Sequence, residues 1–207
     1  ADAYGHGVDF VAPLLLSHGV TWLGVALPCE AMALRAAGAT GKLLCWLITP
    51  GDPELPECVA ADVDLSVSSF RELLEIATAA REANTCANIH VKIDTGLSRN
   101  GISPADLGAL IGELTTLIEE GIIWVRGVWS HLASADHADL ELSRKSVAAQ
   151  RSVFVAALAD FAAVGIEPEF VHLANTAGAL WHPSSRFNLV RIGIGMYGLS
   201  PNAERAG

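Results

Sequence analysis

Six side chains that can bind anions, donate hydrogen bonds or move protons stand where short apolar runs of the chain end. They are Lys92, Asp94, His131, Asn175, Thr176 and Arg191. Lysine and arginine can hold carboxylate or phosphate groups, and histidine can take up or release a proton near neutral pH. If the apolar runs are strands of one parallel sheet, these side chains converge at one end of it. The pattern therefore predicts a small-molecule site there.

The first of these runs contains a cation in an unusual place. Lys92 interrupts the apolar segment 89–93, where an unpaired ammonium would be costly to bury. We expect Lys92 to have a partner or to lack its ordinary charge. Arg99 follows in the glycine-containing segment 94–101, and its planar guanidinium suits the binding of a carboxylate.

The last two predicted strands are followed by segments that could bind a phosphate. Asn175 and Thr176 follow one strand, and Gly193 and Gly195 follow the other. Barrel enzymes often bind phosphate at these positions through backbone N–H groups, although glycines also serve simple turns. Arg191, just ahead of the glycines, could donate to an acceptor such as a ring nitrogen.

The histidines do not predict a metal site. His131, His137, His172 and Asp94 are residue types that bind metals, but no two of these histidines share a strand at ligand spacing. Tyr4 lies near the start of the chain, and we expect it to face the same site as Lys92 and Arg191.

These residues need a scaffold that brings strand ends together, and the hydrophobic pattern indicates one. Seven short runs rich in β-branched and aromatic residues predict strands at 21–26, 43–48, 63–67, 88–94, 124–130, 168–173 and 189–192. Helical periodicity predicts helices between most of them, at 29–37, 70–83, 104–119 and 140–164, with a further helix at 8–18. Ser103 and Pro104 suggest the start of the third of these, and Gly38, Gly121 and Gly165 suggest helix ends.

This alternation predicts an α/β fold, and the absence of a glycine-rich dinucleotide motif after the first strand favours a (β/α)8 TIM-type barrel over an open sheet. A closed barrel needs eight strands, so we expect the first strand to be missing from this chain. No linker or repeat divides residues 1–207, which predicts one domain.

Composition restricts the partners. The chain is 51% hydrophobic with a net charge of −10, which is typical of a globular protein and argues against nucleic acid or anionic membrane as a partner. Neither a spanning helix nor a secretion signal is predicted, so we expect a cytoplasmic protein. Four cysteines without a C-x-x-C pair, at positions 29, 45, 58 and 86, predict buried thiols.

Five segments together resemble a known family. They are ADAYGHG (1–7), VKIDTGLSRNG (91–101), SHLASAD (130–136), HLANTAG (172–178) and VRIGIGMYGL (190–199). In this order they are similar to the barrel domain of alanine racemase. The resemblance implies an isomerase that uses pyridoxal 5′-phosphate to interconvert L-alanine and D-alanine, supplying D-alanine for cell-wall peptidoglycan.

The resemblance also implies a role for each matching residue. Arg99 would bind the substrate carboxylate, and Lys92, carbamylated in many members, would orient Arg99. His131 and Arg191 would be catalytic, with Arg191 at the ring nitrogen and His172 supporting it. The residues implied to contact the cofactor are Tyr4, His131, Asn175, Thr176, Arg191, Gly193 and Ile194.

Two catalytic groups of the family have no counterpart in these residues. The lysine that binds the cofactor would stand just before Ala1, and the tyrosine supplied to the partner subunit of a homodimer would follow Gly207. We therefore expect a fragment, truncated at both ends and inactive alone. Two alternatives stay open, namely a non-catalytic pyridoxal-phosphate-binding barrel and a racemase of broader amino-acid specificity.

Overall fold

The computed structural model of the protein describes residues 2–205, which fall into two compact units. The first unit contains the residues up to His90 together with Glu113–Trp124. The second unit contains Val91–Gly112 and the residues from Val125 onward. The single domain expected over residues 1–207 stays a prediction.

Strands and helices alternate along the described residues. The strands are β1 (Trp22–Val25), β2 (Lys42–Cys45), β3 (Val63–Val67), β4 (Ala87–Lys92), β5 (Ile123–Trp129) and β6 (Phe170–His172). The helices are α1 (Asp2–Gly5), α2 (Val8–Ser17), α3 (Pro28–Ala36), α4 (Leu55–Ala60), α5 (Phe70–Ala83), α6 (Leu107–Glu119), α7 (Leu140–Ala163) and α8 (Thr176–Trp181). Short 3-10 helices follow at Pro183–Ser185, Ile194–Tyr197 and Ala203–Arg205.

The six strands form one sheet in which they lie in chain order from β1 to β6. The β1–β2, β2–β3 and β5–β6 pairs are parallel, and a helix connects each strand to the next. Parallel βα repeats without a reversal of strand order are typical of a (β/α)8 barrel and differ from a doubly wound sheet. The predicted α/β barrel fold is confirmed, while the strand expected before Ala1 stays a prediction.

Helix α5 illustrates why the first unit folds as it does. Ser69 caps the helix by accepting a hydrogen bond from the backbone N–H of Glu72 (3.2 Å). Apolar residues spaced three and four apart put Leu73, Ile76 and Ala80 on one buried face. The helix ends at Asn84, whose left-handed backbone (φ 50°) stops further helical hydrogen bonding.

A close approach in the first unit requires a glycine. A Cβ atom added at Gly24 in β1 would lie 2.1 Å from the ring of Trp46. This distance is far shorter than a van der Waals contact, so the rigid indole ring would have to move. The indole therefore occupies the space above the β1 backbone. Any side chain at position 24 would displace it.

The first unit also buries a polar pair. His90 Nε2 in β4 and Asp64 Oδ2 in β3 lie 2.9 Å apart, and both side chains are almost fully buried. Trp22 packs edge-on against the imidazole at 5.3 Å between ring centroids. The hydrogen bond offsets the cost of placing two polar side chains among apolar neighbours.

The second unit is organised around the longest helix. Asp139 caps α7 by accepting hydrogen bonds from the backbone N–H groups of Glu141 (2.8 Å) and Leu142 (3.1 Å). Phe154 and Phe161 are fully buried on the inner face of α7. Strand β6 pairs with β5 so that Trp129 lies opposite His172.

The strand predicted at 189–192 is wrong. The segment forms no strand, and its backbone contacts the chain just after β6, as in the hydrogen bond from Arg191 N to Ala174 O (3.0 Å). The side-chain amide oxygen of Asn188 accepts the N–H of Val171 (2.7 Å), where a neighbouring strand would supply a carbonyl. A side chain in that position interrupts the ladder.

Two smaller predictions also need correction. Helix α6 begins at Leu107, and Ser103 instead closes a preceding turn by accepting a hydrogen bond from Asp106 N (3.2 Å). None of the four cysteines, all of which lie among the described residues, forms a disulfide, but Cys29 and Cys86 are exposed, so the prediction of buried thiols is wrong for these two. Within residues 2–205, no helix is long and apolar enough to cross a membrane.

Candidate active site

The ends of three strands in the second unit bring chemically active side chains to one level. Ile93 N, directly after β4, donates to Trp129 O at the end of β5 (2.8 Å), which aligns Lys92 with Trp129. Trp129 in turn lies opposite His172 at the end of β6. Lys92, Trp129 and His172 therefore form one row across the carboxyl ends of β4, β5 and β6.

Arg191 lies against this row and donates to several acceptors. Its Nη1 is 3.0 Å from His172 Nδ1, and its Nη2 is 3.4 Å from His131 Nδ1. Nη2 also donates to the carbonyl oxygens of Ser130 (2.7 Å) and Leu173 (3.2 Å). Burial lowers the pKa of Arg191 to about 9, which still leaves the guanidinium charged at neutral pH.

Arg191 determines which ring nitrogen carries the proton in His131 and in His172. Because a guanidinium has no acceptor, the Nδ1 atoms of His131 and His172 must accept, and each proton resides on Nε2. Burial, followed by the charges of Arg191, Arg99 and Lys92, lowers the pKa of His131 to about 3. His131 is therefore neutral at physiological pH and presents an N–H donor at Nε2.

Lys92 is buried and held from two sides. Its Nζ donates to the amide oxygen of Asn100 and lies 4.5 Å from the centroid of the Trp129 ring. Only 3% of Lys92 is exposed, in keeping with its position within an apolar strand. Arg99, one residue before Asn100, is exposed, so the same loop carries a buried contact and an accessible guanidinium.

Asp94 shapes the loop after β4. Its carboxylate accepts hydrogen bonds from the backbone N–H groups of Gly96 and Ser98, both at 3.0 Å. Gly101 has a positive φ of 123°, and a Cβ atom there would lie 2.8 Å from Asp94 N. The loop can therefore return to the strand end only with glycine at position 101.

Sequence reasoning missed the residue that joins the two site loops. Gln150 on α7 accepts from Ala133 N (2.8 Å) and donates to His131 O and to Thr95 Oγ1, both at 3.0 Å. Thr95 Oγ1 is also 2.8 Å from Ser130 Oγ. As the only glutamine of the chain, at a core-facing position of a helix, Gln150 gives one sequence signal of a buried polar contact.

The predicted phosphate segments contact each other. Thr176 Oγ1 accepts a hydrogen bond from Gly193 N (3.1 Å), and Asn175 caps α8 by accepting from Gly178 N (3.0 Å). A Cβ atom at Gly195 would lie 2.7 Å from Thr176 Cγ2, so glycine allows the close approach. Ile194 begins the 3-10 helix that follows Gly193.

The structure brings Lys92, His131, His172 and Arg191 together, and the roles predicted for them stay predictions. Tyr4 lies in the first unit, where it is 64% exposed and has a positive φ of 61°. Among the described residues, no group of three or more His, Cys, Asp or Glu side chains is arranged to hold a metal ion.

The chain is similar in sequence to alanine racemases. The family model of the alanine racemase N-terminal domain matches residues 1–201. The alanine racemase of Thermobifida fusca is 45% identical over 201 residues, covering 97% of this chain and 52% of that protein. The alanine racemase of Streptomyces coelicolor is 44% identical over 209 residues, covering 99% and 52%.

Solved structures agree with the sequence matches. The alanine racemase of Streptomyces lavendulae superposes with a TM-score of 0.92 at 44% identity, covering 97% of this chain and 51% of that chain. A Clostridium difficile alanine racemase, solved in complex with cycloserine, gives 0.88 at 30% identity, covering 98% and 54%. The chain therefore spans about half the length of the relatives that it matches.

Proposed function

Because the chain belongs to the alanine racemase N-terminal domain family, we propose that it is the pyridoxal-phosphate-binding part of an enzyme that interconverts L-alanine and D-alanine. The observation that carries the proposal is the buried guanidinium of Arg191, which contacts His172 Nδ1, His131 Nδ1 and the carbonyl oxygen of Ser130. The enzyme would act in the cytoplasm, and its product D-alanine would be used for cell-wall synthesis.

The donor set fits the proposed cofactor. The hydroxyl of Thr176 and the backbone N–H group of Ile194 would donate to a phosphate at the start of this turn, and Gly193 N–H would do so by exchanging Thr176 Oγ1 for a phosphate oxygen. Gly195 keeps this turn free of a Cβ atom that would collide with Thr176. Asn175 would set the start of α8 beside the phosphate. Tyr4 is the further residue that we propose as a cofactor contact.

When bound, pyridoxal phosphate supplies a conjugated electron-withdrawing ring that makes the Cα proton of an amino acid more acidic. Arg191 would face the ring nitrogen as a donor. Because a guanidinium keeps its proton, that nitrogen would accept a hydrogen bond without being protonated. A weaker electron sink favours rapid return of the proton to Cα, as racemisation requires.

The lysine and arginine of the loop after β4 would bind the substrate. Arg99, exposed and planar, would hold the alanine carboxylate. We further propose that the neutral amine of Lys92 adds CO2 and loses a proton to become a carbamate in the working enzyme, since an anion at Nζ would attract Arg99 where an ammonium repels it. His131 accepts a hydrogen bond from Arg191 at Nδ1 and would donate its Nε2 proton to a group bound in the site.

The remaining catalytic groups would lie outside these 207 residues. The chain spans about half the length of the relatives that it matches. We propose that the cofactor-binding lysine and the second-base tyrosine implied by the resemblance are not among these 207 residues. We propose that the whole enzyme is a homodimer and that the 207 residues are inactive alone. The substrate is alanine, a small molecule.

The test is a hybrid enzyme, in which residues 1–207 replace the aligned segment of the Streptomyces coelicolor alanine racemase. We expect it to form D-alanine from L-alanine, measured by chiral chromatography, whereas the 207 residues alone form none. A hybrid that folds and binds pyridoxal phosphate, seen by absorbance, but forms no D-alanine would support the non-catalytic barrel. Racemisation of larger amino acids at similar rates would support the broader racemase.

A further inference from the structure

Three elements of the second unit converge on one carbonyl oxygen in the loop after β5. The carbonyl belongs to Ala135, which is fully buried. It accepts hydrogen bonds from Ser143 Oγ on α7 (3.0 Å), from His182 Nε2 just after α8 (3.2 Å) and from Arg205 Nη1 (3.2 Å). Because the donors come from separate parts of the chain, they fix the loop backbone at this point.

Arg205 also contacts the loop two residues further on. Its Nη1 donates to the carbonyl oxygen of His137 (3.4 Å). Its Cζ lies 4.0 Å from the centroid of the Trp181 ring, within the range of cation–π attraction. The guanidinium is therefore placed between an aromatic face and the carbonyl oxygens of the loop, and all of these residues belong to the second unit.

Asn202 contacts the loop residue between these two carbonyls. Its Nδ2 donates to the carbonyl oxygen of Asp136 (2.7 Å), while its Oδ1 accepts the backbone N–H of Glu204 (2.8 Å). One side chain thus holds both the loop and the 3-10 turn that carries Arg205. The segment 200–205 therefore supplies donors to three consecutive carbonyl oxygens, at positions 135, 136 and 137.

The same loop begins at His131. Gln150 binds the loop backbone at His131 O and at Ala133 N. The imidazole itself contacts Arg191 through a long hydrogen bond of 3.4 Å. Since a long hydrogen bond restrains the ring weakly, the position of the imidazole depends on the backbone that carries it. Gln150 supports the first half of this loop, and the segment 200–205 supports the second half.

We propose that Arg205 is a positioning residue, which together with Asn202 holds the loop after β5 and thereby keeps His131 in place. Arg205 acts through the backbone of residues 135–137. The effect on racemisation rests on the proposed function, whereas the restraint on the loop does not.

The chain offers a matched control in Arg151 on α7. Like Arg205, Arg151 is partly exposed, and its Nε donates to a carbonyl oxygen, that of Ser184 (2.8 Å). Its Cζ also lies over an aromatic ring, 5.9 Å from the centroid of Phe187. Arg151 therefore holds the turn 183–187 by the same kinds of contact. Comparing the two arginines separates a local restraint on the loop after β5 from a general loss of stability.

The experiment measures hydrogen–deuterium exchange by mass spectrometry in the hybrid enzyme, in peptides that cover residues 131–139 and 183–188. Arg205→Met should make exchange at least about five-fold faster within 131–139, where the N–H of His137 donates to Ser134 O (3.3 Å), and change 183–188 little. Arg151→Met should do the reverse, because it releases the turn 183–187.

Asn202→Asp is a second variant of nearly the same size. It keeps the oxygen that accepts the N–H of Glu204 but replaces the donor to Asp136 O with an acceptor. It should also accelerate exchange within 131–139, and it decides the question if Arg205→Met fails to fold. Unchanged exchange within 131–139 in the folded variants, or the same increase in Arg151→Met, would overturn the proposal.

Activity tests the link to His131. In the same hybrid, Arg205→Met should lower kcat about five-fold and change KM for alanine by less than about two-fold, since Arg99 stands on a different loop. Arg151→Met should leave kcat unchanged. An equal fall of kcat in both variants, or none in Arg205→Met, would overturn the positioning of His131. An unsubstituted hybrid that folds but forms no D-alanine would overturn the proposed function alone, and exchange within 131–139 would still test the restraint.

Discussion

Arg191 has two terminal nitrogens and four nearby acceptors, so its side chain has little freedom once the strand ends are in place. A lysine could supply the charge but not the planar fork that reaches His172 and Ser130 together. The residue type and its position at the end of an apolar run were visible in the sequence. The two histidine contacts were not, because they depend on residues 19 and 60 positions away.

The first prediction concerns Arg191 in the hybrid enzyme. Arg191→Glu should lower racemisation by at least about a hundred-fold, because a carboxylate removes the obligate donor and introduces a further acceptor beside the four acceptors that Arg191 contacts. The matched control is Arg144→Glu, a change at an exposed arginine on α7. D-alanine formation measures both. Near-normal activity of Arg191→Glu would mean that Arg191 only supports the fold.

The second prediction follows from the neutral state of His131. The unfolded chain binds a proton at His131 near pH 6.5, whereas the folded chain resists it until about pH 3. The unfolded state therefore binds more protons between these values, and stability at this site falls as pH is lowered through that range. Above about pH 6.5 the site adds no pH dependence.

Urea unfolding at pH 7 and at pH 4 measures this effect. His131→Asn should reduce the difference in unfolding free energy between the two pH values, because asparagine does not titrate. Part of the difference should persist, since burial also lowers the pKa of His182. His18→Asn, at an exposed histidine, is the control for the change from imidazole to amide. If the difference in unfolding free energy between pH 7 and pH 4 is the same in the His131→Asn and His18→Asn variants, the prediction is wrong.

At the scale of elements, Gln150 shows how a helix fixes two loops that follow different strands. Its amide contacts Thr95, His131 and Ala133, which stand in the loops after β4 and β5. The helix α7 thereby acts on the site without contributing a reactive group. We therefore expect the two site loops to be less well held when this buried amide is removed.

Replacing the amide tests this account. Gln150→Met keeps the length of the side chain but removes the hydrogen bonds that the amide makes with Ala133 N and Thr95 Oγ1. This loss should lower the unfolding free energy by about 1–3 kcal/mol. Lys145→Met, at an exposed position of α7, is the control and should change stability by less than about 0.5 kcal/mol. Urea denaturation measures both. Equal effects would show that the amide adds nothing to stability.

The sequence predicted elements well where local pattern and tertiary packing agree. Helix α5 has the predicted bounds because an N-cap serine, an apolar stripe and a C-terminal asparagine coincide. The segment 189–192 has the apolar character of a strand, but Asn188 takes the hydrogen bond that a ladder would need. Periodicity cannot reveal such a side-chain contact, and this is why the last predicted strand was wrong.

At the scale of the whole molecule, five sequence segments identified the family correctly, because their order and spacing were preserved across nearly the entire chain. The site clusters in the second unit, whose described residues come from two separate stretches of sequence. The stacking of Trp129 on His172 could not be foreseen, because an aromatic residue that ends a strand is most often part of the core.

The distribution of thiols divides the molecule into inert and reactive cysteines. Burial raises the pKa of Cys45 and of Cys58 to about 12, so neither forms thiolate at neutral pH, whereas Cys29 and Cys86 are exposed. Maleimide should therefore add twice to the native chain and four times after denaturation, as counted by intact mass. Four rapid additions to the folded chain would contradict the buried positions.

The two exposed cysteines, Cys29 and Cys86, can therefore be labelled selectively in the folded chain. Cys29 lies in the first turn of α3 and Cys86 directly precedes β4, both within the first unit. A donor and an acceptor dye, or two spin labels, could be attached there without any substitution. The first unit can thus report its own unfolding through a single internal distance, while the second unit with its site stays chemically unmodified.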